Sequence, residues 1–203
     1  MQITSKSQMK RICCQTGRGD WMDWHKITIP YKEVSLKFNK CSHFYNNNIC
    51  KAACCRDENL MEVPTLSDEW AYLWKRMKKD NLRGTIERNM ITSSHVCSFF
   101  KNNFCSLHNT KHKPFGCRMS PFTVHNDKLI VRSKYKKLIC CTSKGEPAYE
   151  VFQSSLEALF GDSYRGIIEN LSFGKDIEVL IEKRILSQID DINSLRLKRD
   201  GSL

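Results

Sequence analysis

Residues 50–56 read CKAACCR and residues 97–117 read CSFFKNNFCSLHNTKHKPFGC. Between them they hold Cys50, Cys54, Cys55, Cys97, Cys105 and Cys117, six of the eleven cysteines in the chain. Thiolate is the soft donor that zinc and iron–sulfur clusters both take. Cys50 and Cys54 are four apart, so one helical turn brings both sulfurs to one face, and Cys55 points elsewhere unless the backbone turns there. The first stretch therefore needs partner ligands from elsewhere in the chain, and the second offers them. Cys41 precedes the first stretch, and Cys140 and Cys141 follow the second. No C-x-x-C occurs, which excludes the zinc-ribbon knuckle, the thioredoxin redox pair and the ferredoxin run.

Outside these stretches the chain reads as a folded domain of 203 residues, long enough to bury a core. It has no apolar run of bilayer length, and its start, MQITSKSQMKRICCQ, lacks the apolar region of a secretory leader. A reducing, cytoplasmic setting is the expectation, and there dense cysteine means metal or redox chemistry rather than disulfides. The formal net charge of +11 is unevenly placed. Residues 101–145 carry ten Lys/Arg against one acid, and residues 146–203 carry seven against eleven. The basic excess stops where the cysteines stop.

The expected fold class is α+β: a small cysteine-rich metal-binding domain with short strands over 1–145, then a helical segment over 146–203. Alternation of Ile27, Ile29 and Tyr31 predicts a strand interrupted by Pro30, and Leu129–Val131 a second strand. A helix is expected over 67–79, capped by Thr65 or Ser67, acidic in its first turn and basic in its last, with Trp70, Leu73, Trp74 and Met77 on its apolar face. Pro147 opens and Gly161 closes another helix. Ile177, Leu180, Ile181, Ile185, Ile189 and Ile192, at steps of three and four, predict a last helix from about Asp176 toward Leu197.

The cysteine pattern resembles the YkgJ-type cysteine-cluster proteins, a zinc- or iron-chelating family. Its pattern is a compact cluster ending in a CC pair, then C-x-x-L, C-x-I-Y, and R-P-x-x-C-R with an aromatic-rich turn. This sequence has CKAACCR at 50–56, CSFF at 97–100, CSLH at 105–108 and KPFGCRMSPF at 113–122. The pattern spans residues 41–141. It departs from the family in the nine-residue step from Cys41 to Cys50, in Lys113 for the usual Arg, and in His108 for the usual Tyr. His108 is either an extra ligand or a stand-in for a packed aromatic ring. The resemblance implies a metal-chelating role. Some relatives, described as flagellin lysine methylases, extend the implication to an iron–sulfur enzyme acting on a protein substrate.

Together these readings give a metal-ligand set of Cys41, Cys50, Cys54, Cys55, Cys97, Cys105, Cys117 and Cys140, the last interchangeable with Cys141. An iron–sulfur cluster, [4Fe–4S] ahead of zinc, is favoured because the ligands outnumber one closed tetrahedral zinc site. Arg118 beside Cys117 is a donor to a thiolate or a surface ion pair. The chain is then a metal-chelating protein, with the protein methylase and a zinc-stabilised nucleic-acid binder as alternatives. In the last, Lys134, Tyr135, Lys136 and Lys137 would meet phosphates and bases.

Overall fold

The structure is a computed structural model that describes residues 23–40, 53–80, 82, 85–87, 90–108, 110–187 and 189. Helices and strands are mixed, as an α+β chain requires, and the apolar residues separate into two cores.

The first lobe is built on a four-stranded sheet in the order β11 (Ile177–Glu182), β1 (Trp24–Ile29), β9 (Lys128–Val131), β8 (Phe122–His125). Strand β1 (Trp24–Ile29) buries Ile27 and Ile29 and leaves Trp24 exposed, the alternation the sequence predicts, and Pro30 ends it. A one-turn helix, α1 (Tyr31–Val34), and the short strand β2 (Lys37–Phe38) follow. Strands β8 (Phe122–His125) and β9 (Lys128–Val131) form an antiparallel hairpin. Its two loop residues, Asn126 and Asp127, have φ of 48° and 55°. That is the left-handed pair a tight hairpin needs, and Asn and Asp tolerate it best after glycine. Phe122 opposes Val131 and Val124 opposes Leu129, and all four are buried.

Strand β10 (Glu146–Pro147) pairs with β2, and beside it Gly145 lies so close to the Phe38 backbone that a Cβ would collide with it. The helix expected between Pro147 and Gly161 forms in two pieces, α5 (Ala148–Val151) and α6 (Gln153–Phe160), broken at Phe152. Pro147 is the cap residue rather than the first helical one. Helix α7 (Tyr164–Leu171) completes the layer, and Leu156, Leu159, Ile167 and Leu171 are buried on the sheet.

The last expected helix needs correction. Residues Ile177–Glu182 form strand β11, antiparallel to β1 with Ile177 opposite Ile29 and Ile181 opposite His25, and helix begins only at residue 183. The segment IEVLIE satisfies both periods, because Ile177, Val179 and Ile181 also alternate. β-Branched residues beside an open sheet edge favour the strand. Ile185, Leu186 and Ile189 are buried beyond the strand, and Ile192 lies outside the described residues. The boundary expected at 145/146 is not a packing boundary either. Ile27, Phe115 and Leu129 share one core with Leu156, Ile181 and Ile189, since the tail buries its apolar stripe by completing this sheet.

The second lobe interrupts the first. It holds a three-stranded sheet, β3 (Arg56–Pro64), β5 (Met90–Val96) and β4 (Thr85–Glu87) in that order, and a short hairpin, β6 (Phe100–Lys101) with β7 (Phe104–Cys105). Helix α2 spans Ser67–Lys79, as expected, and packs Leu73 and Met77 with Val63, Ile91, Phe99 and Leu107. Neither Thr65 nor Ser67 caps it. Leu66 stands at the cap position, and its backbone N–H donates to the Glu69 carboxylate (2.9 Å), the return half of a capping box. The apolar face is narrower than the sequence predicts: Trp70 is 40% exposed.

Candidate metal centre

Three local structures deliver the cysteines of the second lobe. A single 3₁₀ turn, Ala53–Cys55, carries Cys54 and Cys55 into the start of β3. Arg56 pairs with Val96 at the end of the β3–β5 ladder, and the Cys97 N–H donates to the Cys55 carbonyl at 2.9 Å. Residues 55 and 97 are thereby neighbours. The β6–β7 hairpin then folds back through Asn102 and Asn103, at φ 49° and 65°, and sets Cys105 opposite Phe100, whose N–H is bonded to the Cys97 carbonyl.

Cys117 arrives on α3 (Phe115–Arg118), one helical turn after Pro114. Phe115 and Met119 are four apart and enter the first-lobe core, so Cys117, two positions on from Phe115, projects to the opposite side and packs against the second. Glu69 of α2 holds this turn: one carboxylate oxygen accepts from the Phe115 N–H (2.9 Å) and the other from the Arg118 guanidinium (2.7 Å).

The result is five sulfurs from three separated segments on one side of a small core. The Cys55 sulfur is in hydrogen-bonding contact with those of Cys54 and Cys105, and Cys97 and Cys117 lie within the electrostatic influence of both. The Cys55 hydrogen bond draws Cys54 down to about 7 and Cys105 to about 6, from an ordinary value of 9.0. Burial opposes both shifts. Lys113 assists them, joined at Cys54 by Lys134 and at Cys105 by the Leu107 backbone N–H. Cys55 itself is pushed up, because its proton is shared toward Cys105 and Cys54. Burial raises Cys97 to about 11 and Cys117 further still. The set is therefore divided into two sulfurs poised to be thiolates and three held as thiols.

Soft donors, a Lys113–Lys134 field that favours thiolate, and a partly buried setting fit a thiophilic metal by their chemistry. A further group fits as well. Arg118 Nε, on the residue adjoining Cys117, is buried without a hydrogen-bond partner among the described residues. The sulfurs are not gathered into a coordination shell: among the described residues no three or more His, Cys, Asp or Glu side chains are arranged to hold a metal ion.

Of the remaining expected ligands, Cys41 and Cys50 lie outside the described residues, as do Cys13 and Cys14. Cys140 lies with the other core. It packs with Cys141 against the first-lobe core, its carbonyl accepting from the Asn39 N–H (2.9 Å). His108 is half-buried in the turn after Cys105, and burial, then Lys113, lowers its pKa. His112 stacks on Tyr72 with ring centroids 3.6 Å apart. Arg118 pairs with Glu69, one of the first-turn acids of the expected helix, whose contact across to α3 no local pattern announces. Tyr135 was also missed as a neighbour of the site: burial raises its pKa, and its hydroxyl bonds Ser120 within the influence of Cys54 and Cys117.

No protein-family model matches the chain, and neither the curated proteins nor the solved structures yield a match to it. No helix among the described residues is long and apolar enough to cross a membrane.

Proposed function

We propose that the chain is a metal-chelating protein whose second lobe holds a thiolate-bound centre, an iron–sulfur cluster ahead of zinc. The reading rests on one observation, the convergence of Cys54, Cys55, Cys97, Cys105 and Cys117 from segments up to 63 residues apart. Cysteine also serves as a small apolar core residue. An apolar core, however, gains nothing from thiolates, and Cys54 and Cys105 sit at about 7 and about 6 while partly buried. Negative charge accumulating there without a counter-ion is costly, and a soft cation removes the cost. Five cysteines already outnumber the four ligands that one zinc ion takes, and Cys41 and Cys50 would add to them, which favours a cluster. Arg118 Nε would then serve as a donor to ligand sulfur, the role such groups have around metal sites.

The test is anaerobic purification followed by the visible spectrum and by iron, zinc and acid-labile sulfide per chain. The expected result is stoichiometric metal that is lost in Cys54→Ser and Cys105→Ser and kept in Cys141→Ser. Comparable iron and sulfide identify a cluster, and zinc alone identifies a closed thiolate site. A chain that is metal-free as purified and takes up neither metal on reconstitution, or metal retained in both site variants, overturns the proposal.

A further inference from the structure

Three of the four residues in the basic run expected to meet nucleic acid are committed elsewhere. Lys134 donates to the Arg56 carbonyl, Lys136 pairs with Glu33 (2.9 Å), and Tyr135 is bonded inside to Ser120. A different surface combines aromatic rings with cations. Along α2, Trp70, Trp74 and Lys78 recur every four residues and form one ridge. The two indoles are stacked with centroids 6.0 Å apart and planes within 8°, and the Lys78 ammonium lies 4.7 Å from the Trp74 ring centre. On the other flank Tyr72, 38% exposed, stacks on His112, which brings Lys111 and Lys113 beside the helix. Residues 70–79, WAYLWKRMKK, contain no acid, and Lys75, Lys78 and Lys79 are exposed. Of the nearby carboxylates, Asp80 is paired with Arg76 and Glu69 with Arg118, while Asp68 is exposed in the first turn and acts on Arg184.

We propose that this face of α2 is a binding surface for single-stranded nucleic acid. Large exposed rings on a folded domain mark an interaction site, and the chemistry around them selects the partner. An apolar protein surface would match the indoles but desolvate the lysines. An acidic peptide would match the lysines but have no use for parallel indoles. Unpaired bases stack on flat rings while their phosphates meet ammonium groups, so a single strand satisfies both. A duplex keeps its base faces hidden.

The test is fluorescence anisotropy of a labelled deoxythymidine oligomer with the full-length protein across a salt series. Binding is expected to weaken with salt. Trp70→Ala is expected to lower affinity about tenfold with little change in the salt slope, as removal of one stacking ring does. Lys78→Gln/Lys79→Gln is expected to flatten the log–log salt slope by about 0.7 for each phosphate that the variant leaves without its ammonium partner. Tyr72→Ala serves as a second exposed-ring variant, and circular dichroism checks that each variant is folded. Four outcomes overturn the proposal: no binding at low salt, wild-type affinity in both ring variants, equal competition by polyglutamate, or equal affinity for duplex DNA.

Discussion

Among the described residues the first lobe buries twenty-one apolar side chains with no cysteine among them, whereas the second buries eight, two of which are Cys55 and Cys97. The larger core spans helices and a sheet whose edges are joined by β11 and β8, and its packing suffices to hold it. Among the described side chains the smaller core sets one helix against a three-stranded sheet and mixes thiols with hydrocarbon. The described cores thus differ in chemistry on a single continuous chain: cysteines are buried among hydrocarbon in one and only pack at the margin of the other.

The largest effect is expected from metal removal. If the second lobe relies on bound metal, chelation will abolish amide hydrogen-exchange protection over 53–108 and leave β1, β8, β9 and β11 protected, since site assembly and folding are one equilibrium. Equal protection before and after chelation would show that the smaller core stands alone. The reverse experiment is Phe122→Ala, at a fully buried first-lobe position. It is expected to cost about 3–5 kcal/mol and lower the melting temperature, with metal per folded chain unchanged. Loss of metal in that variant would join the two lobes into one cooperative unit.

Glu69→Gln addresses the joint. It replaces the carboxylate that accepts from Leu66, Phe115 and Arg118. A loss of about 1–3 kcal/mol is expected for weakening charged hydrogen bonds of this burial, and calorimetry should show the lobes melting further apart. A single unchanged transition would assign Glu69 no coupling role.

The smallest effect is electrostatic. Cys54 and Cys105 are drawn below their unfolded value of 9.0, to about 7 and about 6. In metal-free protein their contribution is present in full above pH 9 and is lost as pH falls through 7 and 6. Iodoacetamide should therefore label Cys105 and Cys54 at neutral pH while Cys97, at about 11, resists. Labelling of Cys97 first would invert the assignment.

Much of the fold was legible where one period governed one segment. Ile27 and Ile29 announced β1, and the charge order of 67–79 placed α2 to the residue. Residues 177–182 misled because their apolar spacing serves helix and strand alike, and only the free edge of β1, 150 residues away, decides between them. At the site, the spacing of Cys97, Cys105 and Cys117 indicated a shared destination, and the turn at Asn102 and Asn103 carries it out. Cys140 carried the same chemical signal, yet it packs with the other core. The part played by Glu69, Lys113, Lys134 and Tyr135 was hidden because it arises between segments distant in the chain, which leave no local pattern.

The pairing of β1 with β11 also orders events during synthesis. Strand β1 emerges from the ribosome early, but its edge partner begins only at Ile177. Every described element of the second lobe, Ala53 to Cys117, is translated in that interval. Because domains assemble as their segments emerge, the cysteine lobe has its whole described sequence before the first lobe can close. The five thiols described in that lobe are therefore all synthesised while the larger sheet still lacks a strand.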